Sequence, residues 1–132
     1  MDEKRRLEPG TGGGVGWQTP EPEREWTFMV YMAGDNSLEA FGNLDLIEMK
    51  QVGSSPLVAI VAQFDRMQSG VTRRYYLQRG TTLEEDQVGP GLGETNTGDP
   101  RELARFLTWA MTEFPAKRHA LVIWNHGVGW KE

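Results

Sequence analysis

Two near-continuous apolar runs constrain this chain most: Trp26-Thr-Phe-Met-Val-Tyr-Met-Ala33 and Pro56-Leu-Val-Ala-Ile-Val-Ala-Gln-Phe-Asp65. A strand with one wet face alternates polar with apolar residues, whereas a strand covered on both faces does not. Both runs therefore read as strands buried on two sides. Between them, Asn36 followed three residues later by Glu39 is a capping-box signature. It opens an expected helix whose Leu38, Phe41, Leu44, Ile47 and Val52 supply an apolar stripe, ended by Gly53. Strand, helix and strand over roughly forty residues make a βαβ unit, and its crossover should be right-handed.

The remainder extends the same pattern. Val71, Arg73, Tyr75 and Leu77 alternate with Thr72, Arg74, Tyr76 and Gln78, which suggests a half-exposed strand in a small hairpin beside the main sheet. Asp99-Pro100-Arg101-Glu102 carries an N-cap Asp, a first-position Pro and a third-position Glu. Leu103, Phe106, Leu107, Ala110 and Phe114 then fall on one helical face until Pro115. His119-Ala-Leu-Val-Ile-Trp-Asn125 is a third strand of the buried type, running into His126-Gly127-Val128-Gly129-Trp130. Right-handed crossovers to either side of the first strand require the order second, first, third, with the two capped helices on opposite faces. Three parallel strands fall short of the usual ~5–6 and leave an apolar edge open. The fold class expected is therefore an open, mainly parallel α/β sheet with helices on both faces, incomplete in this chain.

Length and composition narrow the function. A chain of 132 residues holds one domain at most. Fourteen Lys and Arg against nineteen Asp and Glu give a net charge of −5, without the basic footprint that phosphate backbones require. No nucleic-acid partner is expected. No apolar run approaches the roughly 18 residues of a membrane span, so no membrane partner is expected either. With no cysteine, this chain can supply neither a thiolate metal site nor a cysteine nucleophile. Residues 1–25, with Pro9, Pro20, Pro22 and a glycine cluster but few large apolar groups, read as a disordered N-terminal tail; residues 26–132 hold the fold. The start, Met-Asp-Glu-Lys-Arg-Arg, lacks an apolar h-region and shows no secretory signal.

In an open parallel sheet, ligands bind beyond the carboxyl ends of the strands. Asp35, Asp65 and His126 are the polar candidates there. Asp35 reads as a helix-entry residue, and Asp65 as a loop carboxylate or the partner of Arg66 or Arg73. A metal held by the three is a minor alternative, since carboxylates and imidazole suit divalent cations. His126 follows the third strand among glycines, which let a substrate backbone approach. Its ordinary pKa of ~6.5 suits general acid/base work, and the Gly127 N–H could meet a developing oxyanion. His119, at the strand entrance, reads as structural and solvent-facing.

Four segments occur in an order that resembles the clostripain-like family of cysteine peptidases. They are Trp26–Asn36, Gln63-Phe-Asp-Arg66, Gly93-Glu-Thr-Asn-Thr-Gly-Asp-Pro100 and Leu121-Val-Ile-Trp-Asn-His-Gly-Val-Gly-Trp130. The resemblance implies a caspase-like α/β fold, of which residues 26–132 would be the N-terminal half. It further implies that His126 is the catalytic histidine and Gly127 the glycine whose N–H joins the oxyanion hole. The catalytic cysteine would follow the next strand. No cysteine follows here, so it is expected on a downstream segment or separate chain, and this chain alone is expected to be inactive. The implied substrate is a protein or peptide cut after Arg or Lys. Calcium is the one cofactor the resemblance brings in, since some members need it. Family members are often secreted, which leaves the compartment open. The alternative from another class is a non-catalytic caspase-like binding or scaffold fragment.

Overall fold

The computed structural model describes residues 23–34, 37–66 and 70–125. Strand β1 (Trp26–Gly34) is followed by helix α1 (Glu39–Val52), strands β2 (Val58–Arg66) and β3 (Arg73–Tyr76), the short helix α2 (Leu83–Asp86), helix α3 (Pro100–Glu113) and strand β4 (Arg118–Trp124). One sheet holds all four strands in the order β3-β2-β1-β4. β1 pairs in parallel with β2 and with β4, Val30 lying opposite Ala62 on one side and Val122 on the other. The expected order of the three long strands is thus present. The small hairpin expected beside the sheet is instead part of it, because β3 pairs antiparallel with the outer edge of β2. Tyr75 also bridges to Gln87.

The alternation of β1 explains the two-sided burial. Val30 and Met32 join Ala62, Phe64 and Leu46 of α1 in one cluster. Met29 and Tyr31 point the other way and join Val61 with Phe106 and Ala110 of α3. The two long helices therefore cover opposite faces, as right-handed crossovers moving to opposite sides of β1 demand.

Helix α1 departs from its reading in two respects. Leu38 occupies the N-cap position without a side-chain cap, and Asn36 lies outside the described residues. The buried face is Gly42, Leu46 and Lys50, while Phe41, Leu44, Ile47 and Val52 are exposed, Phe41 by 59%. The Phe64 ring sets this choice. A Cβ on Gly42 would stand 2.6 Å from that ring, and one on Gly34 only 2.1 Å from it, so only residues without side chains fit there. Lys50 then reaches Asp86 of α2, together with the Gln78 carbonyl (2.6 Å) and the Thr81 hydroxyl (3.0 Å). Gly53 ends the helix as expected, with φ of 73°.

Helix α3 follows its reading closely. The Asp99 carboxylate accepts from Arg101 N at 2.9 Å and Pro100 opens the first turn. Glu102 does not close a capping box but pairs with Arg105 at 2.9 Å. Tyr31 stacks on Phe106, with ring centroids 5.6 Å apart. Thr27, fully buried on β1, donates to the Phe114 carbonyl at 2.7 Å and closes the far end of the helix.

Strand β4 is the sheet edge, and Leu121, Val122 and Ile123 are exposed, Ile123 by 64%. Its apolar run is that of a buried strand, and its outer edge has no neighbour among the described residues. His119 is half-buried rather than solvent-facing, with Nε2 enclosed and unpartnered. It lies opposite Thr27 in the β1–β4 register.

Candidate active site

Because β1, β2 and β4 run parallel, their carboxyl ends, Gly34, Arg66 and Trp124, lie along one edge of the sheet. Asp65 stands at this edge opposite Ala33. It is a buried strand residue rather than a loop carboxylate. One oxygen accepts from Thr97 Oγ1 at 2.6 Å and the other from Thr72 Oγ1 at 3.3 Å. The Thr72 hydroxyl also meets Thr95 at 2.6 Å. Arg66, one of its two expected partners, turns instead to Glu39, 4.0 Å away.

The same loop is tied to β1. Tyr31 Oη donates to the Thr97 carbonyl at 3.0 Å. Burial first, and then the negative charge of Glu102, push the Tyr31 phenol above its ordinary pKa against the effect of the Thr97 bond. The phenol thus stays a proton donor. Gly93–Pro100 is in this way fastened across the ends of β1 and β2, from where Asp99 starts α3. Asp99 is held below the usual carboxylate range, chiefly by hydrogen bonds from the Arg101 side chain and backbone.

The third strand end is fastened separately. The indole Nε1–H of Trp124 donates to Asp45 Oδ2 on α1 at 2.6 Å, and Trp124 also packs on the core beneath α1. Asn125 follows, and then His126.

Asp35, His126 and Gly127 lie outside the described residues. Of the candidate trio, Asp65 alone is described, and both its oxygens are engaged by hydroxyl donors. Among the described residues no three His, Cys, Asp or Glu side chains could hold a metal ion together. No described helix is long and apolar enough to cross a membrane. Sequence reasoning missed Tyr31, Asp45, Thr72, Thr95, Thr97 and Trp124 as organisers of this edge. Four of them, Tyr31, Thr95, Thr97 and Trp124, stand inside the segments that carried the resemblance, which was the available signal.

Comparison with known proteins places this arrangement. The model of the clostripain family matches residues 30–132. Clostripain from Hathewaya histolytica is 29% identical, the match covering 80% of this chain and 24% of clostripain. The chain thus spans about a quarter of that relative's length. A B. fragilis cysteine protease structure superposes with a TM-score of 0.64 at 23% identity, covering 82% of this chain and 93% of that one. A secreted C11 cysteine protease from Bacteroides thetaiotaomicron, solved with an irreversible peptide inhibitor, gives a TM-score of 0.63 at 25% identity over 83% of this chain and 31% of its own. The mostly parallel sheet with helices on both faces is their caspase-like fold, of which this chain holds a part. With the family match running from within β1 through the segment after β4, the chain belongs to the clostripain family.

Proposed function

We propose that this chain is the histidine-bearing portion of a clostripain-like cysteine endopeptidase, with residues 26–132 forming the N-terminal half of the catalytic domain and residues 1–25 a tail. The observation that carries this reading is the open edge of β4. That strand has the composition of a buried one, is parallel to β1, is unpaired on its outer side among the described residues, and ends two residues before His126. A further parallel strand beside it, ending in cysteine, would bring a thiol to the same edge of the sheet.

The chemistry divides accordingly. The thiolate attacks the scissile carbonyl, forming a C–S bond while the carbonyl electrons move to oxygen. The Gly127 N–H donates to that oxyanion. The His126 imidazolium gives its proton to the leaving amine as the C–N bond breaks, and water then releases the acyl group with His126 as base. The substrate is a peptide with Arg or Lys before the cut bond, following the family preference.

The test joins this chain to a cysteine-bearing segment and measures release of a fluorogenic amine from Arg- and Lys-terminated peptides. Turnover that iodoacetamide abolishes, with none from the 132-residue chain alone, is the expected result. A folded assembly without turnover, or turnover that alkylation leaves intact, would overturn the reading.

A further inference from the structure

Trp124 is the last residue of β4, and the strand leading to it is poorly held. Only β1 pairs with it among the described strands, and Leu121, Val122 and Ile123 are exposed. At its carboxyl end the indole N–H reaches across the sheet face to Asp45 at 2.6 Å, a charge-assisted bond and so stronger than a neutral one. Asp45 sits mid-helix in α1, where aspartate is among the poorer helix formers. Helix stability therefore does not explain an aspartate at this position. Nor does anchoring of α1, which is already fixed by Gly42 and Leu46 on the core and by Lys50 on Asp86.

We propose that Asp45 is a positioning residue for His126, acting through Trp124. This rests on the reading of His126 as the catalytic histidine. A fixed indole sets both the twist and the height of the strand end from which the chain continues to His126, two residues on. A misplacement of about 1 Å in a catalytic group can cost on the order of 100-fold in rate. Because the bond joins a strand end to a helix side chain, its proposed effect is on turnover and not on substrate affinity.

The experiment uses the peptidase formed by this chain with its cysteine-bearing segment and compares W124F, D45A, D45N, the D45A/W124F pair and H126A. W124F removes the N–H together with part of the indole ring that packs on the core, D45A removes the acceptor without touching the indole, and D45N keeps an acceptor oxygen. The expected result is a fall in kcat of roughly 10-fold or more for W124F and D45A, measured well below the Tm of each variant, with KM close to wild type. D45N should recover most of the loss, and the double variant should be no worse than D45A. In the 132-residue chain, the indole 15N–1H resonance that disappears in W124F should move upfield in D45A. Wild-type kcat in W124F and D45A while H126A is dead would overturn the proposal and leave the catalytic reading standing. Losses that are additive, or that follow Tm, would also overturn it. Wild-type kcat in H126A would instead overturn the catalytic reading itself.

Discussion

Gly42 of α1 lies against the ring of Phe64, so closely that a Cβ at residue 42 would stand 2.6 Å from it. Glycine inside a helix ordinarily costs about 0.5–1 kcal/mol relative to alanine, so G42A on a free helix face would be stabilising. Here overpacking, at about 1–3 kcal/mol, outweighs that gain. G42A should therefore destabilise the chain by about 1–2 kcal/mol in urea unfolding. Adding F64L should return part of the loss, a coupling that a simple propensity effect would not show.

The buried pair of Lys50 and Asp86 gives a second expectation. Burial works against the Asp86 carboxylate, but hydrogen bonds from Lys50, Thr81 and the Gln78 backbone together hold its pKa below the ordinary value. A carboxylate lowered in the folded state adds stability above its unfolded pKa of ~3.9 and loses it as pH falls through the folded value. Wild-type stability should accordingly decline below about pH 4, and D86N should flatten that decline. At neutral pH, D86A strands a buried ammonium and should cost about 3–5 kcal/mol, measured by denaturant titration.

At the carboxyl edge of the sheet, T97V removes the 2.6 Å hydroxyl donor from buried Asp65. An unsatisfied buried acceptor costs about 1–3 kcal/mol. Y31F removes one bond to the Thr97 carbonyl and should cost about 1 kcal/mol. Both effects should appear in thermal unfolding, and hydrogen exchange should quicken across 93–100 in each variant.

Strand existence and order, and the placement of the two long helices on opposite faces, were legible because two-sided burial leaves an uninterrupted apolar run, as in β1 and β2, and crossover rules then limit the arrangement. Asp99 and Pro100 were legible because capping is local. The inward face of α1 was not. A stripe of large apolar residues assumes that the sheet offers room for them, and Phe64 fills that room. Nor could spacing show that Asp65 is held by Thr72 and Thr97, or Trp124 by Asp45, since such partners meet only when the strands align. His126 and Gly127 were singled out by their glycine surroundings and by resemblance, and those remain the grounds for assigning them.

The exposed apolar residues of β4 carry a consequence for the chain in isolation. An unprotected strand edge invites pairing with another chain, so the 132-residue protein should self-associate at micromolar concentration. Sedimentation velocity should show species above monomer, and I123K should shift them toward monomer. A wild-type chain that stays monomeric would show that the edge is protected.

The catalytic assignment is tested most directly by amide turnover of H126A and H119A in the peptidase carrying both this chain and its cysteine-bearing segment, with folding verified by circular dichroism. His126 is the proposed proton donor to the leaving amine, and loss of a general acid/base costs roughly 10²–10⁴-fold or more in rate. His119, half-buried with its Nε2 enclosed at the start of β4, should affect stability and leave kcat nearly intact. A folded H126A protein with wild-type turnover, or an H119A protein that folds but is inactive, would contradict the assignment.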